Sequence, residues 1–374
     1  MTQNNKKPTG LRGMSAGTSS ICTVGAGSSS LKYRGFDVEL LAEKATFEEV
    51  AFLVLYGKLP NLSQLKEYKN TLQQLRSLPT KLKTVLESID KDTHPMDVLR
   101  TGVSYLGNLE PESSIAEQQD KTNRLLAIMP SILNYWYNFA TFGKKINTDN
   151  NEDSIAGHFL SSLFDKPVDD LHKKVMDASL ILYAEHEFNA STFAARVCAS
   201  TLSDIYSCIT TAIGTLRGPL HGGANEAAYK LLKQFKSVDE AKTELLKMLS
   251  NKQIIMGFGH AVYKELDPRT AVIKQFSKQL SDTVADPTLY DVSCEVERIM
   301  KEEKGMFANA DFYHASAYNF MEIPTELFTP IFVCSRLVGW CAHIMEQREN
   351  NRLIRPTAEY NGVEKAVWVD LQNR

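Results

Sequence analysis

Two of the eight histidines stand in glycine turns, where a side chain gains little from packing. His221 lies in "GPLHGGANEAAYKLL" and His260 in "MGFGHAVYK". Ala227, Ala228, Leu231, Leu232 and Phe235 give the segment after His221 a helical face, so this histidine stands at or just before a helix N-terminus. The positive dipole end there disfavours imidazolium. A neutral imidazole with its N–H aimed into a cleft donates to a developing oxyanion or enolate. Asp311, in "NADFYHASAYNFMEIP", is the carboxylate that would complete such a set. An aspartate in that setting ordinarily caps a helix. Beside two imidazoles it would instead be a base, and the trio would suit removal of a proton α to a carbonyl.

Gly257 and Gly259, within "IIMGFGH", allow backbone amides to come close to a ligand such as a phosphate or an adenine edge. Arg269 follows in "LDPR". Arg336 falls on the same stripe as Phe332, Val333, Trp340 and Ile344 of a long apolar helix. An arginine on that face needs an anion, because burial without one costs several kcal/mol. Either an internal carboxylate or a substrate carboxylate would serve, and the guanidinium fork suits both. Arg355, in "NRLIRPTAEYNG", sits in an irregular C-terminal stretch. His186, in "LYAEHEFNASTF", begins a His-Glu pair, but Ala190 stands where a zincin helix needs its second histidine. No Cys/His pair shows ligand spacing, and no metal site is expected.

The elements that must position these groups are nearly all helical. Short β-prone runs, Ile21–Val24 and Leu31–Tyr33, flank a Gly/Ser turn near the N-terminus. Gly25 and Gly27 there lack the third glycine and the following helix that a nucleotide loop requires. Thr46 with Glu49 reads as a capping box, with Gly57 and Pro60 as the stop. Amphipathic segments then recur, separated by "NLEPESSIAEQQDK" and "KKINTDNNEDS", which read as polar surface loops. The texture changes from about Arg217 to Pro324, where charged helices alternate with glycine turns. The expected organisation is a mainly α, two-domain fold with a minor N-terminal β-hairpin: residues 1–217 and 326–374 form the large domain, and residues 218–325 the small one.

A length of 374 residues fits such a division, and 43% hydrophobic residues suffice for its cores. The net charge of −3 argues against nucleic acid or membrane as the main partner. No membrane-spanning run or export signal is read, and the six cysteines lie in or beside apolar runs without CxxC spacing. The expected setting is a reducing cytoplasm.

In order and spacing, "LYAEHEFNASTF", "LHGGANEAA", "GFGHAVYKELDPR", "ANADFY", "FTPIFVCSRLVGW" and "RPTAEYNG" resemble the citrate synthase family over nearly the whole chain. "HPMDVLRTGVS" and "AHIMEQRENNRLIRP" are similar to the bacterial 2-methylcitrate synthases, which join propionyl-CoA rather than acetyl-CoA to oxaloacetate. The resemblance implies that Asp311 takes the proton from the acyl carbon and His221 holds the enol. It assigns His260 to the oxaloacetate ketone and His186, Arg269 and Arg336 to the rest of oxaloacetate. Arg355 would reach the partner's site in a homodimer. Ile254, Ile255, Met256, Gly257 and Phe258 would line the coenzyme A site, with Lys304 and Arg12 as candidates for its phosphates. The thioester is a substrate, and no separate cofactor is implied. Ala261 follows His260 where family members often carry proline or arginine, a departure in the coenzyme A turn rather than in the reacting groups.

Overall fold

The computed structural model describes residues 10–11, 13–25 and 30–374. Arg12 and Gly27 lie outside these residues. Sixteen α-helices account for most of the described chain. The expected hairpin is present: Cys22–Val24 pairs antiparallel with Leu31–Tyr33, Cys22 opposite Tyr33, and Phe36–Asp37 adds a short third strand.

Local sequence explains the helix boundaries. The Thr46 side chain accepts from the Glu49 N–H while the Glu49 carboxylate accepts from the Thr46 N–H (2.7 Å), which satisfies two of the donors a helix start leaves free. After the ten-residue helix Phe47–Tyr56, Gly57 adopts φ 78°, the left-handed turn that ends the helix without a Cβ clash.

The helix Phe328–Glu349 is the spine of the molecule. It packs against Phe47–Tyr56, Gln118–Phe142, Asp170–Tyr183, Ala190–Ser200 and Ile205–Leu216. Its apolar stretch is long enough to cross a membrane, yet nearly all of it is covered by these neighbours. Arg336 sits midway along it, almost fully buried. Further helices pack together to build the rest of the site. Ala310–Phe320 packs on both Ala224–Leu232 and Pro268–Ser281, and Pro268–Ser281 also touches Asp170–Tyr183.

Two polar stretches expected to be surface loops are anchored inward. Glu112 accepts from both terminal nitrogens of Arg348 (2.8 Å each), with both side chains buried, and caps the Ile205 N–H (2.7 Å). Helix also begins sooner there, at Gln118 after a 3₁₀ turn. In the second stretch Arg76 donates to Asn150 Oδ1 (3.0 Å) and to the Glu152 carbonyl (2.7 Å). Both stretches lie mostly at the surface, as their composition implies; the long-range partners that tether them are invisible to it.

One buried pair makes stability depend on pH. Asp177 receives the Phe47 N–H on both oxygens (3.1 and 3.2 Å). Burial, reinforced by the nearby Glu48 charge, pushes its pKa up to about 8. Folded Asp177 therefore keeps its proton at neutral pH, whereas the unfolded chain releases it near the ordinary value of about 4. The proton taken up on folding costs stability progressively as pH rises between those two values. Asp177→Asn keeps an acceptor for Phe47 and removes the titration. The melting temperature of the variant relative to the parent is expected to climb steadily from pH 5 to pH 8 in calorimetry.

Candidate active site

Helix Asp170–Tyr183 ends just before His186, and the chain turns through Glu187 at φ 54° into Ala190–Ser200. This turn places His186 in the interior with its Nε2 3.0 Å from Tyr263 Oη and its ring 5.0 Å from that of His260. Burial first, then the charges of Arg269 and Arg336, hold the His186 pKa well below its ordinary value. The ring is neutral.

His260 has a fixed tautomer. The backbone N–H groups of Val262 (3.1 Å) and Tyr263 (3.3 Å) both donate to Nδ1, so the neutral ring carries its proton on Nε2. Burial, with Arg269 nearby, lowers its pKa to about 4. His221 is the mirror case. The Ser191 N–H donates to Nε2 (3.2 Å), with Ser191 Oγ at 2.8 Å, so the proton sits on Nδ1. Ser191 Oγ is itself held by Trp340 Nε1 (3.1 Å), on the spine helix. The His221 pKa is also lowered to about 4. Here the cause differs from the sequence expectation: burial leads and the Arg336 charge follows, rather than the helix dipole. The helix starts at Ala224 with Gly223 as its N-cap, leaving His221 in the preceding turn.

The glycines beside His221 are sterically required. A Cβ on Gly222 would lie 2.4 Å from the Leu216 carbonyl oxygen, and Gly223 has φ 84°. Gly257 has φ 89°, and a Cβ there would meet the Phe312 ring at 2.9 Å.

Asp311 is not the helix cap. Asn309 takes that role, its Oδ1 accepting from the Asp311 N–H (3.1 Å), and the aspartate is left free in the first turn. Asp311 and His221 line one small pocket with Gly222, Gly223, Thr329 and Phe332. Tyr183 Oη donates to Asp311 Oδ1 (2.6 Å). Burial raises the Asp311 pKa above the usual carboxylate value, against the Tyr183 hydrogen bond and the charges of Arg269 and Arg336.

The His260 turn is tied to the Asp311 helix. Gly259 N–H donates to the Phe307 carbonyl (2.9 Å), Asn309 N–H to the Gly257 carbonyl (2.9 Å), and Asn309 Nδ2 to the Gly259 carbonyl (3.0 Å). Arg269 is held bidentately by Asp267 (2.9 and 2.7 Å), whose Oδ2 also accepts from the Ala310 N–H (3.1 Å). Arg336 differs. Its Nε donates to the Tyr183 carbonyl (2.7 Å) and its guanidinium lies over the Phe332 ring, but it joins none of the ion pairs among the described residues.

The predicted residues thus gather in two linked groups, His221 with Asp311 and His186 with His260, both within the electrostatic reach of Arg336 or Arg269. Of the coenzyme A candidates, Ile255 and Phe258 are buried, Gly257 forms the turn, and Ile254 and Met256 are exposed. Lys304 is exposed, at the end of the helix leading to Phe307. Arg355 is exposed on the C-terminal stretch. Sequence reasoning missed Tyr183, Ser191, Tyr263, Asp267 and Asn309. Asn309 and Asp267 carried a local signal, as favoured N-cap residues, Asp267 with a proline at the first helical position after it.

A buried carboxylate sharing a pocket with one neutral, oriented imidazole, with two more neutral imidazoles and an arginine outside any ion pair nearby, is suited to acid–base chemistry on a small anionic carbonyl compound. The family model for the citrate synthase C-terminal domain matches residues 10–357. A 2-methylcitrate synthase from Shewanella oneidensis is 58% identical over 98% of this chain and 97% of that protein. Citrate synthase 2 of Bacillus subtilis is 40% identical over 98% of each. Among solved structures, the citrate synthase of Thermoplasma acidophilum, in a ternary complex with carboxymethyl coenzyme A and oxaloacetate, superposes with a TM-score of 0.90 at 30% identity, covering 97% of this chain and 98% of that one. This chain belongs to the citrate synthase family and is an enzyme of its acyltransferase type.

Proposed function

We propose that this enzyme condenses propionyl-CoA with oxaloacetate and water to give 2-methylcitrate and CoA, with some activity on acetyl-CoA. The observation that carries the reaction type is the single pocket shared by Asp311 and His221. In this reading Asp311 removes a proton from the acyl carbon, the C–H electrons form the C=C bond, and the thioester oxygen draws the His221 Nδ1 proton to become the enol. The enol carbon attacks the ketone carbon of oxaloacetate, returning that proton to His221, while His260 Nε2–H protonates the ketone oxygen. Hydrolysis of the resulting thioester releases CoA. The thioester itself supplies the acidity, so no metal enters the scheme and EDTA is expected to leave the rate unchanged.

Arg336, Arg269 and His186 hold oxaloacetate in this scheme, and the turn from Ile254 to Phe258 approaches coenzyme A with its backbone amides. Residues 218–325 act as the small domain, closing on residues 1–217 and 326–374 and excluding water while the enol exists. The enzyme works as a homodimer. The exposed C-terminal stretch, with Tyr360, Val363, Trp368 and Leu371 bared in the single chain, supports an arm that packs on a partner and carries Arg355 to its site. A soluble, cytoplasmic setting accords with this chemistry.

The acyl preference rests on the 58% identity to a 2-methylcitrate synthase, against 40% to the Bacillus citrate synthase. The two substrates differ by one methylene, worth about 1–3 kcal/mol in a fitted pocket. Thiol release with oxaloacetate, followed by DTNB, is expected to give a kcat/KM for propionyl-CoA about tenfold or more above that for acetyl-CoA. The reverse order would make the enzyme a citrate synthase, and no release from either would rule out both proposed acyl substrates.

A further inference from the structure

The base assigned above is held by a residue that the reaction scheme does not use. Tyr183 is the last residue of its helix and is almost completely buried. Its ring stacks on that of His314 (centroids 4.1 Å apart) and leans on Phe332 (4.6 Å). His314 is locked in turn by its Nδ1, 2.7 Å from the Ala310 carbonyl. The phenol therefore has little freedom, and its hydroxyl meets Asp311 Oδ1 at 2.6 Å. The same residue's backbone carbonyl accepts from Arg336 Nε at 2.7 Å. Tyr183 thus touches both the base and the arginine assigned to oxaloacetate, through different atoms.

We propose that Tyr183 is a positioning residue for proton abstraction: its hydroxyl fixes the Asp311 carboxylate through Oδ1 and leaves Oδ2 as the oxygen that takes the proton. The inference rests on the reading of Asp311 as the base. Tyr183 keeps its own proton throughout, because burial and the facing carboxylate push its pKa well above the usual phenol value. The proton moves from the acyl carbon to Oδ2, the C–H electron pair enters the enol, and the Oη–H···Oδ1 bond persists as an anchor. A hydrogen bond donated to a carboxylate also favours its ionised form, so Tyr183 partly offsets the desolvation of Asp311. The other charged or titratable groups acting on Asp311 are Arg269 and Asp267 from the start of helix Pro268–Ser281, and Arg336 from the spine. His221 faces it across the pocket.

Tyr183→Phe removes the hydroxyl while keeping the ring between His314 and Phe332 and the carbonyl on Arg336. The expected result is a kcat lowered about tenfold to a hundredfold, the scale of a misplaced reacting group. The KM for oxaloacetate should stay within about twofold, because the backbone contact that orients Arg336 survives. The acid limb of the kcat–pH profile should move to higher pH, as expected when a carboxylate loses a donor. A packing role would not move that limb. An unchanged thermal shift on adding oxaloacetate verifies that the variant is folded. On an Asp311→Asn background the same change should cost nothing further, since the hydroxyl acts only through that carboxylate. A wild-type kcat and acid limb in Tyr183→Phe, or a full additive loss in the double variant, would overturn the positioning role. Should Asp311→Asn alone retain wild-type kcat, the assignment of the base itself fails, and the positioning role with it.

Discussion

Asp311→Asn is expected to lower kcat by about 10²–10⁴-fold, the range a positioned general base supplies. The oxaloacetate KM should barely move. The side chain stays the same size, and an amide oxygen in the place of Oδ1 still accepts the Tyr183 hydroxyl. The Asn309 cap is untouched because it holds the backbone N–H of residue 311 rather than its side chain. What disappears is the capacity to accept a proton. Burial of the native carboxylate raises its proton affinity above that of a solvated aspartate, which suits a base that must act on a weakly acidic carbon. The two imidazoles cannot substitute. His221 and His260 each have one nitrogen engaged by backbone N–H groups and the other protonated, so both are donors at neutral pH. Steady-state kinetics with oxaloacetate varied at saturating propionyl-CoA tests the split. An equal loss in kcat and in affinity would mean that Asp311 binds substrate rather than removing a proton.

Of the residues proposed for the chemistry, the two histidines and Arg336 stood out in the sequence because each stands in an unusual local setting, whereas Asp311 read as an ordinary cap. His221 and His260 lie among glycines, and Arg336 interrupts an apolar stripe; such contrasts survive in one dimension. The Thr46–Glu49 capping box, the β-hairpin and the long spine helix were legible for the same reason, since their signals are short-range. The groups that aim the reacting side chains were not. Ser191 holds His221 across 30 positions and Tyr183 holds Asp311 across 128. Nothing in "LILYAEHE" distinguishes Tyr183 from any core tyrosine. Buried anchors of polar loops, such as Glu112 on Arg348, fail in the same way: a charged residue reads as solvated until its partner is known. The neutral His221 ring was legible, but the burial that leads in lowering its pKa was not, because burial is a property of the assembled fold.

Arg336→Gln is expected to raise the KM for oxaloacetate by about 10²–10³-fold, with the scale of a buried charge pair broken on one side, about 2–5 kcal/mol. Arg269 and Arg336 are both buried near the imidazoles, but only Arg269 has its charge matched by a bidentate carboxylate. Arg336 spends one N–H on the Tyr183 carbonyl and otherwise lies over Phe332. Burial pushes its pKa below the ordinary guanidinium value, opposed mainly by the charge of Glu185. Even so lowered, an arginine remains cationic at neutral pH. A cation held out of water without a hydrogen-bonded counterion is a standing cost to the fold, and binding a carboxylate there relieves it. Oxaloacetate should therefore raise the melting temperature of the parent enzyme in proportion to its affinity, and Arg336→Gln should abolish most of that shift. The KM for the acyl-CoA should change little, since no part of the coenzyme A turn contacts this side chain in the scheme. Differential scanning fluorimetry with and without oxaloacetate decides the matter. A ligand-induced shift of undiminished size in the variant would place the substrate carboxylates elsewhere and leave Arg336 as a structural charge.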